Sequence, residues 1–178
     1  MLQLPGARAL SDFRIAKLLA RLSTLEPAVR SLDARFIHFV DTDRPLEFAE
    51  RQILQQLLTY GPKSAPAGNT DGEMLLVVPR AGTISPWSSK ATDIARVCGL
   101  TAIRRIERGI EYRLKDTRPL GPERLAAIAP VLFDRMTEMV LFNPEHAQRL
   151  FGHAEPRPLG QINREHLESA NRELGLAL

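Results

Sequence analysis

The chain has 178 residues, 44% of them hydrophobic and 25% charged, with a formal net charge of +3. That size holds one good core, or one domain with an appendage, and the composition is that of an ordinary globular protein. No apolar run is long enough to span a bilayer, and a single cysteine, Cys98, excludes an intramolecular disulfide.

Met1 to Gly6 lacks the basic start and apolar core of a signal peptide, so a cytosolic location is expected. Arg8, Arg14, Lys17 and Arg21 are the nearest thing to a basic patch. No aromatic side chains are interleaved with the Lys and Arg, so a solvated helix face explains them better than nucleic-acid binding does.

Ser11 to Leu22 reads as an amphipathic helix capped by Ser11, with Ile15, Leu18, Leu19 and Leu22 in one stripe. Arg35 to Val40 is rich in aromatic and β-branched residues and reads as a strand, with His38 as a hydrogen-bonded core or edge histidine. Leu46 to Leu58 predicts a second helix that buries Phe48, Ile53, Leu54, Leu57 and Leu58. Gly61 to Gly72 is a turn-rich linker.

The pattern then starts again. Met74 to Val78 is a buried strand that runs through Arg80, Gly82 and Thr83 into a helix start, where Ser85, Ser88 or Ser89 can cap and Pro86 suits the first turn. This helix continues through Ile94 and Val97, and Cys98 reads as a packed core thiol. Ile110, Tyr112 and Leu114 alternate with polar residues as a half-buried strand, which places Glu107 and Glu111 as solvated carboxylates on its polar side. Pro122 to Leu132 predicts a fourth helix and Met136 to Phe142 a short strand. In the tail, Asn143-Pro144-Glu145 opens a short helix through Phe151, Pro156-Arg157-Pro158 breaks it, and Asn163 to Leu174 forms the last helix. Leu174, Leu176 and Leu178 suggest a chain cut before the partner of that helix.

Shifting the chain on itself by a constant offset lays Leu4-Pro5 on Val78-Pro79, Leu10-Ser11 on Ile84-Ser85, Phe36 on Ile110 and Arg44-Pro45-Leu46 on Arg118-Pro119-Leu120. The expected fold is α+β over residues 1–142: a duplicated strand–helix–strand–helix unit, repeat one about 1–60 and repeat two about 74–142. Its antiparallel or mixed sheet carries packed helices, and a short helical tail follows.

No metal-ligand spacing, phosphate-binding glycine loop or Ser–His–acid set appears, so the chain reads as non-catalytic. The exception is the second helix start. Thr83, Ser85, Ser88, Ser89 and Lys90 cluster donors where a helix N-terminus favours anions, and the first repeat lacks the counterparts of Arg80, Trp87 and Lys90. Capping plus a Trp anchored in the core explains much of this. Arg80, Trp87 and Lys90 are better read as a docking edge.

The run Pro79 to Ala95, with Cys98-Gly99-Leu100 after it, resembles the N-terminal signature of the large single-chain phosphoribosylformylglycinamidine synthases. Phe13-Arg14-Ile15, His38-Phe39, Tyr60-Gly61-Pro62, Ile106-Glu107-Arg108-Gly109 and Asp134-Arg135-Met136 match as well. The resemblance implies a C–N ligase of purine synthesis that uses ATP, Mg and glutamine to convert formylglycinamide ribonucleotide to its amidine. It implies an N-terminal domain like a fused pair of a small separate subunit, packed on the synthetase domain beside the ammonia route from the glutaminase domain. Residues 143–178 would begin the helical linker domain. This chain ends before the synthetase and glutaminase domains, so a fragment inactive by itself is expected, with those domains as its partners. Arg80, Thr83, Ser85, Trp87, Ser88, Ser89 and Lys90 are its expected contact set, and it holds no cofactor or metal. The alternative is a stand-alone adaptor that bridges synthetase and glutaminase chains.

Overall fold

Two long strands, β2 (Val29–Thr42) and β4 (Ile103–Asp116), run side by side through the centre of the molecule. The computed structural model describes residues 1–61, 72–117, 120–152 and 161–174. The order is β1 (Leu2–Arg8), α1 (Asp12–Leu25), β2, α2 (Phe48–Leu58), β3 (Glu73–Pro79), α3 (Pro86–Val97), β4 and α4 (Gly121–Ile128). A 3-10 turn (Ala129–Val131), β5 (Glu138–Leu141), a 3-10 helix (Pro144–Phe151), a 3-10 turn (Arg164–His166) and α5 (Leu167–Leu174) complete it. The expected α+β class is observed.

The strands form one sheet in the order β1-β2-β4-β3-β5, and every neighbouring pair is antiparallel. In the central pair Phe36 faces Ile110, two residues separated by the same interval as Ser11 and Ser85. Arg35 opposite Glu111 and Ile37 opposite Gly109 continue that register symmetrically.

Side chains alternate across a strand, so even-numbered residues of β2 and β4 share one face. On that face α1 and α4 bury Ile15, Leu22, Leu125 and Ile128 against Leu32, Ala34, Tyr112 and Leu114. Further along, α2 and α3 bury Leu54, Leu58 and Ala95 against Val40, Ile103 and Ile106. The other face is covered in part by the 3-10 helix Pro144–Phe151, whose Ala147 and Leu150 pack on Phe39, Leu76, Val78 and Leu141.

Four expectations are corrected here. Phe48 is 78% exposed and Ile53 is also exposed, because α2 turns the face of Leu54 and Leu58 to the sheet and both residues fall on its flanks. Cys98 is exposed rather than packed. It is the C-cap of α3, Gly99 follows with φ +84, and the next residue, Leu100, takes the buried place. Glu107 is fully buried, since β4 is covered on both faces at that point; Glu111 is partly exposed and pairs with Arg113 at 2.6 Å.

No helix among the described residues is long and apolar enough to cross a membrane. Residues 62–71 of the linker, Arg118-Pro119, Pro156-Arg157-Pro158, Leu176 and Leu178 lie outside the described residues.

Candidate functional site at the start of α3

Of the three candidate serines, Ser85 caps α3: its Oγ accepts from the Ser88 N–H at 3.0 Å, with Pro86 in the first turn. Gly82, at φ +79, supplies the left-handed residue of the loop before it. Arg80 and Thr83 lie in that loop, and the exposed Arg80 guanidinium donates to the Met136 carbonyl at 3.4 Å. The Arg80 N–H donates to the Thr137 carbonyl at 3.1 Å, and Thr83 Oγ1 donates to the Arg80 carbonyl at 2.6 Å.

An anion already sits at this helix start. The buried Glu107 carboxylate accepts from Ser85 Oγ at 2.8 Å and from the Ser85 N–H at 3.2 Å. Arg105 pairs with it, and also donates to the Thr83 and Leu150 carbonyls while lying over the Phe151 ring. A phosphate would meet this carboxylate first. Of the donors that suggested an anion site, Ser85 is taken by the protein's own acid and Thr83 by the Arg80 carbonyl.

The opposite side of β4 carries a different arrangement. Arg108 is held between the rings of Phe36 and Trp87, its Cζ 4.2 and 4.6 Å from their centroids. Its Nη1 donates to the Tyr60 hydroxyl at 3.2 Å, and that hydroxyl is 2.7 Å from His38 Nε2. His38 stacks on Trp87 at 5.6 Å and meets Tyr60 edge-on. Gly6 permits this, since a Cβ there would stand 2.6 Å from His38 Cε1.

Burial, and then the Arg108 charge, lower the His38 pKa to about 4, with a weaker opposing pull from the Leu4 backbone. The ring is therefore neutral near pH 7. Arg108 can only donate, so the order is Arg108 N–H to Tyr60 O and Tyr60 O–H to His38 Nε2, which places the ring proton on Nδ1. His38 Nδ1 has no partner in hydrogen-bond geometry among the described residues.

Above this cluster α2 and α3 leave a cleft of about 360 Å³. Leu57, Leu58, Ala91 and Ile94 form its walls, Ile106 and Arg108 its floor, and Lys90 its rim.

The seven predicted site residues thus divide. Trp87 and Lys90 line the cleft; Arg80 and Thr83 lie in the loop; Ser85 caps α3 and binds Glu107; Ser88 is buried and Ser89 exposed on α3. Tyr60, His38 and Arg108 complete the cluster around Trp87, and sequence reasoning did not assemble them. Their segments are far apart in the chain, and only the β2–β4 register brings His38 opposite Arg108.

Residues 35–151 match the family model described as formylglycinamide ribonucleotide amidotransferase N-terminal. The chain belongs to this family. It is a domain of a purine-biosynthesis amidotransferase, as the resemblance implied. The matched span of the amidotransferase N-terminal domain runs from β2 to the end of the 3-10 helix. It contains both the Glu107 cluster and the Trp87 cluster, while β1 and α1 precede it.

Proposed function

We propose that this chain is a non-catalytic docking domain within a glutamine-dependent phosphoribosylformylglycinamidine synthase. In this reading it packs on the synthetase domain beside the ammonia route and forms no amidine by itself. The observation that carries it is the fate of the hydroxyls at the start of α3. Ser85 is bonded to Glu107 and Ser88 is buried, whereas Trp87 and Lys90 are left at a cleft. A helix start built this way is suited to contact and not to nucleophilic attack.

The internal duplication belongs to the same proposal: the symmetric pairing of β2 with β4 supports a domain built as a fused pair. Residues from 143 onward would open the linker domain, its first turn already packed on the sheet. ATP and Mg would be held by other domains of the enzyme. Among the described residues, no three His, Cys, Asp or Glu side chains stand together as a metal site.

The test is made in the full-length enzyme. Trp87→Ala and Lys90→Ala should each lower glutamine-dependent turnover by roughly tenfold, as anchor residues do, while Arg21→Ala on the exposed side of α1 leaves it unchanged. Wild-type rates for all three would count against the docking role. Amidine formation from glutamine and ATP by the isolated chain would refute the non-catalytic reading.

A further inference from the structure

We propose that the cleft between α2 and α3 binds a small oxyanion, a carboxylate or phosphate monoester, carried on an apolar body. This goes beyond the docking role, because it needs only the cleft and its test needs no partner domain.

The walls argue for the apolar body. Leu57, Leu58, Ala91 and Ile94 enclose a volume of about 360 Å³, within the range of small-molecule sites. The charges argue for the oxyanion. Arg108 at the floor and Lys90 at the rim have no carboxylate partner among the described residues, and none of the described residues lining the cleft is an acid.

Position, not the lack of a partner alone, sets Arg108 apart, since exposed cations such as Arg14 and Arg21 also have no ion pair among the described residues. Arg44, Arg104, Arg105, Arg113 and Arg124 are each paired with a glutamate or aspartate. Among the described residues Arg108 is a part-buried guanidinium with no acidic partner.

Arg108 is also pre-organised. Phe36 and Trp87 fix the plane of the guanidinium, and Tyr60 takes one donor of Nη1. Nη2 and Nε have no acceptor among the described residues, so part of the fork that matches carboxylate and phosphate oxygens is available. A cation already locked in one rotamer loses little freedom when an anion binds. Neutral His38 behind Trp87 brings no competing negative group.

Trp87 is the single tryptophan of the chain, so its indole N–H signal reports the cleft directly. The isolated chain would be titrated with phenylacetate, phenyl phosphate and neutral phenylacetamide while that signal is followed by NMR. Phenylacetate, phenyl phosphate or both should shift it saturably, and whichever binds tighter identifies the oxyanion. Phenylacetamide should bind about tenfold more weakly. Lys90→Gln, an exposed change that leaves the core intact, should weaken the anions and not phenylacetamide, and Ala91→Leu should block all three. Two results would overturn the proposal: no saturable shift with either anion, or phenylacetamide binding as tightly as phenylacetate in both wild type and Lys90→Gln.

Discussion

Protonating His38 means placing a charge where burial and the Arg108 guanidinium both oppose it. An unfolded chain titrates this group near 6.5, whereas the folded ring holds out to about 4. Between those values the unfolded state takes up a proton that the native state refuses. The stability contributed by neutral His38 is therefore complete above pH 6.5 and is lost as the pH falls through 6.5 towards 4. A separation of this size corresponds to on the order of 3 kcal/mol. Thermal melts across this window should show a steep loss for the wild type and a flatter profile for His38→Gln; identical profiles would contradict the assignment. At the same scale Glu107 shows how far a residue can be read from its neighbours. Alternation put it on the polar side of β4, and that much is correct. Whether the polar side meets water or a second layer depends on the 3-10 helix some forty positions later, which covers it.

At the level of the element, the two serine caps make a comparison. Ser11 accepts from the Arg14 N–H at 3.4 Å in an exposed setting. Ser85 accepts at 3.0 Å and also donates to the buried Glu107. Ser11→Ala should cost about 1 kcal/mol, the ordinary worth of a cap. Ser85→Ala should cost about 1–3 kcal/mol more, because a buried carboxylate loses a donor. Urea unfolding of the two variants checks this, and equal costs would mean that Ser85 is only a cap. The caps were legible because they are local chemistry. Strand ends were less so: Arg35 to Val40 was visible by its β-branched and aromatic residues, yet β2 runs from Val29 to Thr42. The extra residues are polar or mixed, and cross-strand pairing with β4 makes them strand.

For the whole molecule, the Arg105–Glu107 pair ties three pieces together: the loop before α3, the centre of β4 and the 3-10 helix through the Leu150 carbonyl. Arg105→Met should destabilise the fold by about 3–5 kcal/mol, since it strands a buried carboxylate. It should also speed amide exchange within 144–151 before the rest of the sheet responds. Arg113→Met breaks a partly exposed pair with Glu111 and should cost less than about 1 kcal/mol. A uniform rise in exchange for both variants would show that the 3-10 helix has no separate tether.

Taken alone, the sequence determined the α+β class, the order of elements through β5, the Ser11 and Ser85 caps and the family, because periodicity, capping chemistry and a specific local motif are short-range signals. The tertiary structure decided which charges are used. It placed Glu107 at the start of α3 and left Arg108 in a cleft with no acid among its described lining residues, by bringing Tyr60, His38, Trp87 and Arg108 together from four segments. Contacts across such distances depend on strand register and helix packing, which no local pattern encodes.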